Sequence, residues 1–125
     1  MKNVIDWFEI PVHDVPRAQV FYETVLQTTL QRESYAGPGM QMAVFAGEGD
    51  AVKGALLSGH PDLQVGACGT LVYLNAGASL DTALERVVAA GGQVAMGRVA
   101  LPEGLGFMAH MRDVDGNRVG LHAYA

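Results

Sequence analysis

One carboxylate stands in an apolar setting near the start of the chain. Glu9 lies within Val4 to Ile10, a run of β-branched and aromatic residues that predicts a strand. A carboxylate in such a strand costs free energy unless it is paired or functional. Glu9 therefore fits a general base or a ligand anchor, with His122 as its acid partner. It also fits a structural ion pair or hydrogen bond, for instance with Arg118.

The other reactive side chains give weaker signals. His110 lies on a predicted strand and could face either side, where it would complete a non-standard metal site with Glu9 and His122. Cys68 is the only cysteine and has no histidine motif nearby, so a nucleophilic role is not expected. The sequence has no phosphate-binding loop, no dinucleotide-binding glycine pattern and no zinc-type spacing of Cys and His.

Composition narrows the class of protein. The chain has 125 residues, half of them apolar and 17% charged, which predicts a folded domain and excludes disorder. Eight basic and thirteen acidic residues give a net charge of −5, which argues against a nucleic-acid partner. No apolar run reaches the roughly 18 residues that span a bilayer, and the start lacks the pattern of a signal peptide. With one cysteine and no intrachain disulfide, we expect a cytoplasmic protein without a membrane partner.

The apolar periodicity predicts a strand, a helix and three strands, twice over. The predicted helices run from Arg17 to Leu26, capped by Asp14, and from Leu80 to Ala90, capped by Ser79. The predicted strands span residues 4–10, 29–35, 40–46, 52–57, 70–74, 93–99, 107–112 and 118–123. Residues 3–58 and 69–125 thus form two modules joined by a linker, residues 59–68. Two curved sheets, each with one helix behind it, would close into a trough.

Three segments carry a resemblance to a known family. They are Trp7 to Leu26 (WFEIPVHDVPRAQVFYETVL), Ala89 to Gly92 (AAGG) and Arg112 to Leu121 (RDVDGNRVGL). Together with the doubled element order they resemble the vicinal oxygen chelate superfamily, which includes glyoxalase I, extradiol dioxygenases, and bleomycin and fosfomycin resistance proteins. The resemblance covers nearly the whole chain and implies one α+β domain, residues 1–125, made of two βαβββ modules. The first strand is most similar to a subgroup described as related to lactoylglutathione lyase.

The resemblance also implies where metal ligands would stand. In this sequence those positions hold Trp7, the segment Leu56 to Ser58, Thr70 and Gly120, and none of these is a usual ligand. We therefore predict no metal and no other cofactor. Glyoxalase I and dioxygenase chemistry are then not expected either, because both need a metal to polarise vicinal oxygens.

Alternation along each strand assigns further residues to the trough. With Trp7 and Gly120 facing inwards, the trough residues are Ile5, Trp7, Glu9, Thr70, Val72, Leu74, Arg118, Gly120 and His122. Phe8 and Ile10 then face the helices, and Leu71 and Tyr73 lie behind the trough. The predicted ligand-binding residues are Trp7, Glu9, Thr70, Val72, Arg118 and His122. Trp7 is either a stacking platform for a planar ligand or a filler of the space that a metal would occupy.

Two functions remain open from the sequence. A largely apolar trough without metal ligands predicts a protein that binds or sequesters a small organic ligand. The alternative is a lyase or isomerase in which Glu9, with His122, performs acid–base catalysis. Burial of Glu9 against Arg118, away from any cavity, would exclude that alternative. Open sheet edges and the short modules favour a homodimer in either case.

Overall fold

The computed structural model describes residues 3–125 and has the predicted α+β architecture. Met1 and Lys2, which begin the predicted domain 1–125, lie outside the described residues. In chain order the elements are β1 (Trp7–Pro11), α1 (Val15–Leu26), β2 (Leu30–Glu33), β3 (Gln41–Phe45), β4 (Lys53–Ser58), β5 (Tyr73–Asn75), α2 (Leu80–Ala89), β6 (Gln93–Ala100), β7 (Phe107–Arg112) and β8 (Arg118–Ala123). The predicted repeat of a strand, a helix and three strands is confirmed.

Each repeat forms its own four-stranded sheet. The strand order is β1-β4-β3-β2 in the first module and β5-β8-β7-β6 in the second. In both sheets the first strand pairs in parallel with the last, because the helix carries the chain across the sheet before three antiparallel strands return. β1 and β5 therefore lie at sheet edges.

Polar side chains start both helices, as predicted. The carboxylate of Asp14 accepts a hydrogen bond from the backbone N–H of Arg17 at 3.2 Å, and the hydroxyl of Ser79 accepts one from Thr82 at 3.3 Å. Each bond satisfies a backbone donor that has no partner inside its helix. Gly91 follows α2 with a φ of +100°, a conformation that glycine adopts without steric cost.

The two modules share one hydrophobic core. The buried face of α1 includes Phe21, Tyr22 and Val25, and that of α2 includes Leu80 and Val87. These side chains pack in one cluster with Ile10 of β1 and Leu121 of β8, and Phe8 packs against the same cluster. Burying each large side chain contributes about 1.5–3 kcal/mol to folding. Phe8 and Ile10 therefore face the helices, as predicted.

The turn between β7 and β8 fastens the second module to the first. Asp113 is buried, and its carboxylate accepts a 2.6 Å hydrogen bond from the hydroxyl of Tyr22 on α1. The side-chain N–H of Asn117 donates to the carbonyl of Pro11 at 2.7 Å. Burial and the Asp113 carboxylate raise the pKa of Tyr22 well above its ordinary value, so Tyr22 stays a neutral donor. This turn fixes where β8 lies relative to β1.

Both helices of the described chain are short, with twelve residues in α1 and ten in α2. Along residues 3–125, no helix has the length and apolar character that crossing a bilayer requires.

Candidate functional site

A cavity of about 580 Å³ opens beside β1. Its walls come from β1, from the irregular segment 64–72 and from the start of β8. The cavity is lined by five of the six predicted ligand-binding residues, namely Trp7, Glu9, Thr70, Val72 and Arg118. The sixth, His122, lies elsewhere. The structure therefore brings most of the predicted ligand-binding residues together in one cavity. Their roles in binding are still predictions.

Trp7 and Glu9 are placed by the alternation of β1. Phe8 and Ile10 point into the core, so Trp7 and Glu9 point to the opposite face. Trp7 is 39% exposed, and its indole N–H donates to the Glu9 carboxylate at 3.3 Å. Within residues 3–125 no arginine or lysine forms an ion pair with Glu9. Glu9 thus borders the cavity and is not buried against Arg118, which leaves a role in binding or catalysis open.

The side-chain directions predicted for the fifth strand are wrong. Leu74 is buried in the core. The ring of Tyr73 instead lies across Gly120 on the face of the sheet opposite the helices, which is termed the concave face. The regular strand begins only at Tyr73, and residues 70–72 before it are irregular. Alternation counted from Thr70 therefore assigned Tyr73 and Leu74 to the opposite faces from those that they occupy.

Tyr73 belongs to a chain of hydrogen bonds on the concave face of the second sheet. Its hydroxyl oxygen lies 2.6 Å from Nε2 of His110, and Nδ1 of His110 lies 3.0 Å from Nε of Arg118. Arg118 can only donate, so Nδ1 of His110 accepts and Nε2 carries the proton. Nε2 then donates to Tyr73, whose own proton points to the sulfur of Met108 at 3.4 Å. Each donor in this chain has one acceptor.

His110 is therefore held as a neutral imidazole. Partial burial and the charge of Arg118 lower the pKa of His110 from its ordinary value. Protonation would place a second positive charge beside Arg118 and would remove the acceptor at Nδ1. The imidazole instead connects Arg118 to Tyr73 without a charge of its own.

His122 is separated from Glu9. It points to the concave face, as predicted, but lines another cleft with Asn75 and Tyr124. One ring nitrogen lies 2.6 Å from the backbone oxygen of Leu105, and the imidazole packs edge-on against Tyr124 at 4.9 Å between ring centroids. The structure does not place Glu9 and His122, the predicted catalytic pair, in one cavity.

The metal that the family resemblance implies does not fit these residues. A Cβ atom at Gly120 would stand 2.4 Å from the ring of Tyr73, so the ring occupies the space that a ligand at that position would need. In the part of the chain that is described, no three His, Cys, Asp or Glu side chains gather as a metal site. The non-standard site from Glu9, His110 and His122 is therefore not formed.

Sequence reasoning missed the roles of Tyr73 and His110. Gly120 could have indicated their contact. A glycine inside an apolar strand often marks a place where another group approaches closely. In the parallel pairing Gly120 lies opposite Tyr73, and in the antiparallel pairing it lies opposite His110. The missing side chain makes room for the contact between those two residues.

Comparison with known proteins agrees with this architecture. The chain matches the sequence model of the Glyoxalase/Bleomycin resistance protein/Dioxygenase superfamily over residues 4–121. It is similar to TnmS3, an antibiotic binding protein from Streptomyces sp. CB03234, with 25% identity, a TM-score of 0.70 and 98% of each chain covered. A glyoxalase/bleomycin resistance protein from that organism is also 25% identical, with a TM-score of 0.68, 93% of this chain and 96% of that chain covered.

More distant similarity is limited to the fold. Glyoxalase I from Zea mays is 19% identical with a TM-score of 0.71, and the match covers 95% of this chain but 45% of the maize chain. Comparison with curated proteins found no match. Because the family match extends over most of the sequence, the chain belongs to the Glyoxalase/Bleomycin resistance protein/Dioxygenase superfamily.

Proposed function

We propose that this protein binds a small organic ligand in the cavity beside β1, without using a metal. The observation that carries the proposal is the cavity itself, which holds Trp7, Glu9 and Arg118 among apolar neighbours. Its volume of about 580 Å³ falls in the range of about 300–1,000 Å³ that is typical of small-molecule sites. Similarity to an antibiotic binding protein at 25% identity adds support.

Trp7 gives a direct test of ligand binding. It is the only tryptophan, so its indole N–H contributes one cross-peak to a ¹H–¹⁵N spectrum. A neutral planar probe, 2-naphthamide, should shift that peak and the backbone peaks of Val72 and Arg118 in a saturable way. Absence of any shift up to the solubility limit of 2-naphthamide would contradict the proposal.

Two variants test whether the ligand stacks on Trp7 or whether loss of any exposed aromatic side chain weakens binding. Trp7→Ala should weaken 2-naphthamide binding by about 2- to 10-fold in calorimetric titration, the size expected for one aromatic contact. Tyr35→Ala is the matched control, because Tyr35 is 65% exposed and does not line the cavity. Equal losses in the two variants would show that Trp7 has no special part in binding.

A second candidate function rests on Glu9. An exposed carboxylate at the edge of this cavity is placed to remove a proton from a bound carbonyl compound. This supports the alternative of a lyase or isomerase, but with Glu9 acting without His122, which lines another cleft.

Deuterium uptake tests that alternative. We expect the protein to accelerate exchange at the methylene carbon of phenylpyruvate in D₂O, and Glu9→Gln to abolish the acceleration while leaving thermal unfolding unchanged. His122→Gln should retain full exchange. If the wild-type protein gives only the buffer rate, the enzymatic alternative is wrong and the binding proposal is unaffected.

The assembly and the location of the protein are part of the same proposal. We propose a homodimer, supported by the open edge of β6, an eight-residue strand in which every residue except Met96 is exposed. Light scattering at micromolar concentration should give twice the mass of the chain, and a monomer would contradict the proposal. A cytoplasmic location is supported by Cys68, the single and unpaired cysteine.

A further inference from the structure

Two arginines lie side by side on neighbouring strands of the second sheet, and neither forms an ion pair with another described residue. Arg112 on β7 is the direct partner of Arg118 on β8, so both side chains leave the same face of the sheet. Among residues 3–125 no aspartate or glutamate forms an ion pair with either. Like charges directly opposite each other destabilise a sheet, and the protein as a whole carries a net charge of −5. An unneutralised arginine pair in an acidic protein indicates a place for an external anion.

Arg118 is held by one of its side-chain donors and keeps the others available. Its Nε donates to His110, which holds the side chain in place, and no other hydrogen bond engages the guanidinium within the described residues. The Nη groups therefore remain for a ligand. A guanidinium matches a carboxylate through two parallel hydrogen bonds, which are among the strongest that proteins form. Because the lowered pKa of His110 favours its neutral form, Arg118 provides the positive charge on the cavity wall, with Arg112 opposite it on the neighbouring strand.

The cavity restricts which anion can bind. Arg118 lines the same cavity as Trp7 and Glu9. The indole offers a surface for a planar group, whereas the Glu9 carboxylate repels negative charge and disfavours a dianion more than a monoanion. A phosphate dianion is therefore a poorer candidate than a single carboxylate attached to an aromatic body.

We propose that Arg118, supported by Arg112, binds the carboxylate of a small planar monocarboxylic acid whose ring lies against Trp7. His110 is a positioning residue that fixes Arg118 through Nδ1. This inference rests on the proposed ligand-binding function and names the chemical class of its ligand.

Two probes of the same shape test the inference. 2-Naphthoate and 2-naphthamide differ in charge, and calorimetric titration gives the dissociation constant of each. We expect 2-naphthoate to bind at least about 10-fold more tightly, since a hydrogen bond to a charged group is worth that much or more. Raising the salt concentration should narrow the difference.

Arginine variants locate the effect. Arg118→Gln should weaken 2-naphthoate binding by about 10- to 100-fold and leave 2-naphthamide nearly unchanged. Arg112→Gln should give a smaller loss of the same kind, and it serves as the second variant if Arg118→Gln does not fold. Arg17→Gln on α1 makes the same change in net charge and should leave both constants unaltered.

The role of His110 has its own readout. His110→Leu should remove the preference for 2-naphthoate over 2-naphthamide, whereas His110→Gln, which keeps an acceptor for Arg118, should retain part of it. The imidazole ¹⁵N shifts of the wild type should show an unprotonated Nδ1 and a protonated Nε2. A protonated Nδ1 would contradict the positioning role.

The outcomes separate the two proposals. Equal affinity for both probes, or a preference for 2-naphthoate that survives in Arg118→Gln and Arg112→Gln, would overturn the carboxylate inference and leave the binding function standing. Binding of neither probe would contradict the binding function, and the inference would fail with it.

Discussion

The concave faces of the two modules carry different chemistry on the same strand order. In the first sheet Met42, Ala55 and Leu57 are buried, and Ala36 and Met40 from the preceding turn pack over them. In the second sheet the equivalent face presents Tyr73, His110, Arg118 and His122, all at least partly exposed. A repeated backbone topology therefore leaves side chains free to make one face a small core and the other a polar surface.

The turn between β3 and β4 and the turn between β7 and β8 differ in how far they are buried. Every residue from Ala46 to Val52, between β3 and β4, is exposed. The corresponding turn of the second module buries Asp113 and Asn117 against the first module. The second module therefore supplies the connection and most of the polar face. The first supplies apolar packing on β3 and β4, and its edge strand β1 adds the exposed Trp7 and Glu9.

The largest effect is expected where that connection is removed. Asp113→Ala should lower the free energy of unfolding by about 3 kcal/mol, because it leaves the buried hydroxyl of Tyr22 and the backbone N–H of Asn117 without their acceptor. Urea unfolding measures the change. Glu48→Ala in the exposed hairpin is the control, with a change within about 0.5 kcal/mol. Similar losses of unfolding free energy in the two variants would contradict the proposed difference in stability contribution between the two turns.

A second prediction compares the two concave faces directly. Leu57→Ala should cost about 2–3 kcal/mol, because Leu57 is buried in a packed cluster that cannot fully close around a smaller side chain. Tyr73→Ala should cost about 1 kcal/mol, because Tyr73 is 42% exposed. Thermal unfolding of the two variants ranks them, and a greater loss for Tyr73→Ala would contradict the contrast between the faces.

Two glycines sharpen the comparison further. A Cβ atom at Gly54 would stand 2.4 Å from the ring of Phe8, and one at Gly120 would stand equally close to Tyr73. Phe8 packs against the core, whereas Tyr73 can move into solvent. Gly54→Ala should therefore cost about 2 kcal/mol and Gly120→Ala about 1 kcal/mol in urea unfolding. Equal costs would show that the ring of Tyr73 is as firmly held as a core side chain.

The smallest effect concerns pH. The pKa of His110 is lower in the folded protein than its ordinary value, so the fold favours the neutral imidazole. This contribution to stability is complete above the pKa of the unfolded chain, near 6.5, and is lost as the pH falls from there towards the lowered pKa. The difference in stability between pH 7 and pH 5 should shrink slightly in His110→Gln. In Gln31→Ala, a change at an exposed side chain that does not titrate, it should stay as in the wild type.

The fold was predicted from the sequence more fully than the site. Element bounds depend on local sequence patterns, whereas the contacts within the site depend on the pairing of distant strands. Strand and helix bounds follow from local periodicity and caps, and β7 and β8 agree with their predicted bounds residue for residue. The direction of Trp7 and Glu9 followed from the regular alternation of β1. For β5, a strand of three residues, alternation had no reliable starting point.

The link between Tyr73, His110 and Arg118 lies beyond such local signals. It depends on the register among β5, β8 and β7, which pairs residues that are distant in the chain. Glu9 and His122 are likewise separated by tertiary packing and not by anything in their own segments. The exposed fraction of each face also depends on turns that pack over it, as Ala36 and Met40 do on the first sheet.

The contact between Tyr73 and Gly120 makes these two positions depend on each other. A carboxylate side chain at position 120 would drive its first carbon into the aromatic ring, so Tyr73 would have to move towards solvent to admit it. A smaller residue at position 73 would leave a gap beside His110 with nothing to gain. The two changes therefore have to arrive together, which couples the side chain at position 120 to the size of the residue at position 73.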